Sequence, residues 1–283
     1  MTRVIKLLLF FSVLLVFVLG TNCDEKNVFS LTNMEWILVL INEHPNIFHD
    51  NLFDTQPDST SGGPDSPSFY RQITSRHTYE DSIIINDTLV PDVLIANVWE
   101  TDSIAGKFRI YDNGVWHETT FVACSKMRAY LEKWGQTGDA YNGWLIKGVS
   151  PIITYTYGVA SFVPPFNLNV TSSGGENYNY VSTDINSMVD FNNFPLVFSV
   201  GDTVYLHLSS VDKTNHIHLH YYDGNTLKKV RFVDNGTLDA QFVVTDASLR
   251  YRHFFIDIVD KNSVGPPPGN YRARTWGILY KSQ

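Results

Sequence analysis

The chain has 283 residues, with 21 Lys and Arg against 29 Asp and Glu and a formal net charge of −8. That acidic balance argues against nucleic acid or an anionic membrane as a partner, since both are polyanions. Aromatics make up 14% of the residues, which suits strands and contact surfaces and excludes a disordered chain, and the length allows one large domain or two ordinary ones.

Residues 1–20 read as a secretory signal peptide: a basic head, MTRVIK, then the apolar run LLLFFSVLLVFVLG. The run falls short of the roughly 20 residues a spanning helix needs, so no transmembrane segment is expected after cleavage. Cleavage would remove Arg3 and Lys6 and no acid, leaving the rest more acidic still. Three Asn-x-Thr triplets, at Asn86, Asn169 and Asn235, agree with export, because they are glycan acceptors only in a eukaryotic secretory pathway. The expected location is extracellular, the lumen of the endomembrane system, or the cell surface through a partner. Two cysteines are present, Cys23 and Cys124. In an oxidising compartment they could pair and tether the N-terminus; the alternative is a buried free Cys124 with Cys23 bonded to another chain.

Residues 30–45, SLTNMEWILVLINEHP, can start on a Thr32 or Asn33 cap and end at Pro45. The apolar centre fits a buried helix or a buried strand, and the run is too short for periodicity to choose. Pro, Asp, Ser and Gly then dominate 45–68, predicting an exposed loop. From Thr78 onward, segments such as SIIINDTL, DVLIANVWE and KFRIYD read as strands. One helix is predicted within them, SKMRAYLEKWG at 125–135, where Met127, Tyr130, Leu131 and Trp134 fall at helical spacing. Residues 21–163 are thus expected to form a β-rich domain with one or two helices, and 164–195 a polar linker. Within 196–283, seven short strands separated by turn signals predict an antiparallel β-sandwich of immunoglobulin-like or fibronectin-like architecture. No cysteine follows Cys124, so an intersheet disulfide is absent and only the architecture is implied. Val93–Val122 also lies on Val204–Val233 without a gap, a weak echo that would suit tandem sandwiches.

The most pointed chemistry is the alternating HIHLHYYDG at 216–224, with His207 just upstream. Paired as a hairpin, strands 203–209 and 216–222 would set Leu206 opposite Leu219 and His207 opposite His218, putting His207, His216, His218 and His220 on one face. Such a patch could bind zinc or copper, respond to pH, or be an ordinary polar strand face. No carboxylate lies between the histidines as a general base. Nucleophile-elbow, phosphate-loop, dinucleotide and Cys-x-x-Cys templates are missing, so an enzymatic reading rests on the histidines alone. The function expected is therefore a secreted or surface glycoprotein that binds a protein or glycan. Its candidate contacts are Tyr141, Asn142 and Trp144 in DAYNGWL, with Trp99 and Trp116, although a sandwich tryptophan is more often core. The alternative is an extracellular metal-binding protein or metalloenzyme using the four histidines. Assembly through strand edges is a third reading, and the lysines of KKVRF at 228–232 count against it.

Overall fold

Among the described residues, two short helices precede a long run of strands. Helix α1 (Asn33–Glu43) buries Ile37, Leu40 and Ile41 on one stripe, so helical spacing wins over the strand reading. Pro45 then opens α2 (Pro45–Phe48), where its missing N–H costs nothing, and Ile47 and Phe48 turn inward. The predicted exposed loop therefore begins with a buried turn of helix. The computed structural model describes residues 31–48, 68–87, 93–112, 114–136, 138–157, 166–181, 188–248, 250–264 and 270–283. The signal-peptide reading, Cys23 and most of the 45–68 stretch lie outside these residues, as does Thr88 of the first triplet.

Three very long strands follow: β1 (Ser68–Asp87), β2 (Leu94–Asp112) and β3 (Val115–Lys133). β3 overturns the helix predicted at 125–135. Met127, Ala129 and Leu131 alternate inward, while Lys126, Arg128, Tyr130 and Glu132 take the other side. The segment satisfies a period of two as well as one of 3.6, and pairing with β2 (Ala129 opposite Val98, Leu131 opposite Ala96) decides between them. Non-local pairing overrides local helix propensity here. Gly135 backs onto Gly143, whose φ is 82° and where a β-carbon would run into the Gly135 backbone. Gly143→Ala is therefore expected to lower stability by about 1–3 kcal/mol, read as a shifted urea midpoint with an unchanged slope.

The remaining strands are β4 (Trp144–Val149), β5 (Ile152–Thr156), β6 (Asn167–Ser172), β7 (Asn177–Val181), β8 (Val189–Asp190), β9 (Val197–Phe198), β10 (Thr203–Ser209), β11 (His216–Asp223), β12 (Thr226–Arg231), β13 (Val233–Asp234), β14 (Leu238–Val243), β15 (Tyr251–Val259) and β16 (Ala273–Ser282). The larger sheet has 11 strands in the order β1-β2-β3-β5-β16-β15-β11-β12, with β4 and β8 beside β3 and β9 beside β16. The smaller has five, β13-β14-β10-β6-β7. Among the described residues, pairings are antiparallel except β9 with β16. The stretch expected to be a linker, 164–195, supplies β6, β7 and β8. Sheet membership also cuts across the predicted boundary: β5 hydrogen-bonds to β16, and β10 to β6. The echo between 93–122 and 204–233 has no counterpart in pairing. Its first copy turns back within one sheet, and its second crosses from one sheet to the other.

The protein is thus mainly β, and residues 33–283 form one compact unit. Its largest core lies between the sheets, where Val204, Leu206 and Leu208 meet Ile217, Leu219, Ile256 and Trp276. A second core packs α1 and α2 on β2, β3 and β4 around Trp144. A third fills the concave side of the larger sheet, which curls into a half-barrel until Phe69 of β1 reaches β12. No helix among the described residues is long and apolar enough to cross a membrane.

Candidate functional site

The predicted β10–β11 hairpin does not form. β10 pairs with β6 and β14, and β11 with β12 and β15. Residues 210–215 instead arch between sheets, with Ser210 at a positive φ and Asp212 bonding the backbone and hydroxyl of Thr214. The apolar residues expected to sit side by side do meet, but face to face across the core. The same burial is gained either way, so hydrophobic patterning cannot separate a lateral hairpin from an arch. The histidines part company as a result.

His207 takes the outer face of the smaller sheet. Its Nδ1 lies 2.7 Å from Asp239 Oδ1, which also accepts from the Thr237 hydroxyl. Asn169 sits beside it on β6 and donates to the side chains of Asn177 and Asn179. His207, Asn169, Asn179 and Thr237 edge a shallow cleft of about 270 Å³.

His216, His218 and His220 point the other way, into the half-barrel. There Asp257 of β15 is wholly buried and takes two hydrogen bonds from the Arg71 guanidinium, at 2.7 and 2.8 Å. It also takes one from His220 Nε2 at 3.2 Å, the nitrogen acting as donor because a carboxylate can only accept. Arg71 Nε donates to the Tyr271 hydroxyl. His218 stands edge-on to Phe69 at 5.1 Å, and Lys229 reaches both the face and the carbonyl of the same Phe69. Burial by itself would raise the Asp257 carboxyl, but Arg71 and His220 outweigh it and hold the group well below the usual carboxylate range. Burial pushes the His218 and His220 imidazoles down, with Lys229 adding to the effect, so both stay neutral. This cluster already carries Arg71 and Lys229 and its carboxylate is fully engaged, so it closes the barrel seam and is poorly suited to a metal cation. Among the described residues no group of three or more His, Cys, Asp or Glu is arranged to hold one.

The aromatic candidates also divide. Trp144 is fully buried at the start of β4 and presents no face to solvent. Tyr141 and Asn142 occupy a tight turn at φ of 52° and 54°, and the Tyr141 hydroxyl donates to Glu43 on α1. Trp99 is half-buried under the Arg128 guanidinium, 5.0 Å from its ring. Trp116 is different: it is 50% exposed near the β2–β3 turn, with Tyr70 and Tyr111 at 5.3 and 5.1 Å. Arg109 bridges Tyr70 and Glu118, and Lys107 holds the second oxygen of Glu118. These two cations keep the Glu118 carboxyl below its ordinary value, so the surface is ionised. Tyr70, Tyr111, Arg109 and Glu118 were not singled out from the sequence. The signal was there in the sequence, in Asn113-Gly114, a dipeptide that favours a hairpin; Asp112 is set against Val115 and hence Tyr111 against Trp116.

Of the predicted glycan acceptors, Asn86 is exposed on β1, Asn169 is tied into the asparagine ladder, and Asn235 is exposed in the turn before β14. Cys124 is a buried free thiol, and its predicted partner lies outside the described residues. Protein-family models, curated proteins and solved structures give no match to this chain.

Proposed function

We propose that the protein is a secreted or cell-surface glycoprotein that binds a protein or glycan ligand through the Trp116 cluster. One observation carries this reading: a half-exposed tryptophan is held by two tyrosines beside an ionised Arg109–Glu118 pair. Exposed aromatic area next to fixed donors and acceptors is what a binding surface needs, because stacking supplies affinity and the polar groups supply orientation. Rings braced in advance also lose little freedom when a ligand arrives. Export is supported by the residue 1–20 pattern, and glycosylation most directly by Asn235, which sits in an exposed turn. The two facing sheets serve as an immunoglobulin-like or fibronectin-like scaffold in this reading, supported by the apolar layer they share.

Trp116→Ala is expected to weaken ligand capture on a glycan array or on cells by at least tenfold, roughly the cost of losing one aromatic anchor. Circular dichroism and the urea midpoint should stay as in the parent, since half the ring is already in water. Undiminished binding by a folded Trp116→Ala protein would reject the cluster as the site.

A further inference from the structure

Register places more than the Trp116 cluster on that face. Directly paired residues of an antiparallel sheet point to the same side, so Trp116, Glu118, Val122, Lys126, Arg128, Tyr130 and Glu132 of β3 share it with Trp99, Lys107, Arg109 and Tyr111 of β2. Three stations of like composition follow one another along it. The first is Trp116 with Arg109 and Glu118. The second is Trp99 beneath Arg128, whose guanidinium donates to Asn97 at 2.7 Å. The third is Trp134, 62% exposed just past β3, with Lys147 5.4 Å from its ring and Glu132 accepting from its indole nitrogen. Trp116 and Trp134 lie at opposite ends of β3, roughly 60 Å apart along the strand at ~3.3 Å per residue. Between the first two stations Cys124 is covered, while Val122, Lys126 and Tyr157 remain exposed.

Charge along this face runs against that of the chain. Among its described residues on β2, β3 and β4, Lys107, Arg109, Lys126, Arg128 and Lys147 face only Glu118 and Glu132 as carboxylates, whereas the chain as a whole is at −8. A compact ligand would need one station. Three stations, each an aromatic ring beside a cation and an acceptor, suit a ligand that is long, ringed and negatively charged.

Building on the reading of Trp116 as a binding surface, we propose that this face holds a linear anionic polysaccharide laid along β3. Sugar rings stack on the exposed Trp116 and Trp134, and carboxylate or sulfate groups meet the intervening Arg and Lys side chains, among them Arg128 held over Trp99. Affinity then grows with chain length, because each further station is engaged within an already bound chain.

The test uses the full secreted chain carrying Asn86→Gln, since Asn86 stands in register with Ile95 and Glu132 and an attached glycan would border the third station. Binding of heparin, hyaluronate, neutral dextran and a heparin disaccharide is measured by calorimetry at low and high salt. Long heparin or hyaluronate should bind at least tenfold tighter than both the disaccharide and dextran, and should weaken as salt rises. Trp116→Ala and Trp134→Ala should each cost about tenfold on the long polymer. Arg128→Gln tests the second station and should lower the salt sensitivity. If Trp116→Ala abolishes binding of some ligand while Trp134→Ala and chain length change nothing, the extended site is overturned and the Trp116 cluster stands alone. Equal binding of dextran overturns the anionic assignment. Polyanion binding that neither tryptophan variant alters overturns both the extended site and the cluster.

Discussion

Asp257→Asn is expected to cost about 3–5 kcal/mol, a large part of the stability of a domain this size. The carboxylate is wholly buried and is set against the Arg71 guanidinium, which donates to it twice. Asparagine keeps the volume but not the charge, so the buried cation loses this counter-charge and one of its two hydrogen bonds to the side chain, and an N–H turns toward donors. His220 loses its acceptor at the same stroke. Because the pair joins β1 to β15, the loss falls on the contact that curls the larger sheet on itself. The informative comparison is the double variant Arg71→Met with Asp257→Leu. Removing both charges deletes the desolvation cost together with the attraction, so much of the single-variant loss should return. Urea midpoints for the parent, single and double variants measure this. A parent-like midpoint for Asp257→Asn would mean that water reaches the pair and that the seam is held by packing alone.

The second large effect is a steep fall in stability below pH 6.5. His218, His220 and His253 are buried, and burial depresses each, His253 down to about 3. A histidine whose folded value is depressed contributes its full stability above the unfolded value near 6.5, and loses it as pH falls toward the folded value. In that window the unfolded chain binds protons that the folded chain refuses. Each ring that stays unprotonated in the folded chain contributes a slope of ~1.4 kcal/mol per pH unit, and His253 keeps doing so down to about 3. Asp257 does not share this window. Its folded value is depressed below the ordinary ~3.9, so its contribution is present above that and is lost only in stronger acid. Denaturation at pH 7, 6 and 5 should therefore show a falling midpoint, and His253→Phe should remove about one proton from the slope. A pH-independent midpoint over that range would show that the rings are solvated. An acidified compartment would thus loosen the seam where Phe69 is clamped between His218 and Lys229.

Much of the β content could be read directly, because alternation and turn residues are local signals. Strand β11, the DG turn after it and the burial of Ile217 and Leu219 were all legible. Two kinds of feature were not. Segment 125–135 supports both periods, since Ala129 reads as neutral in a helix pattern yet completes the inward row of a strand. Only its neighbours Val98 and Ala96 choose. The histidine strand was placed by assuming that consecutive strands with matching apolar faces lie side by side. They stack instead, which leaves every apolar contact intact and sends His207 and His218 in opposite directions. The predicted wet face of β11 is buried because β1, from far along the chain, folds over it.

The sequence by itself determined that the chain is acidic, aromatic and mostly antiparallel strand, and that familiar catalytic templates are missing. Each of those depends on composition or on residues a few positions apart. Tertiary structure alone decided which faces meet water. It buried Trp144, His218 and His220, exposed Trp116 and Trp134, and drew Arg71 to Asp257 from the far end of the sheet. The physical reason is the order in which strands join a sheet. That order depends on the free energy of the whole curled layer, and no local pattern of hydrophobic residues encodes it.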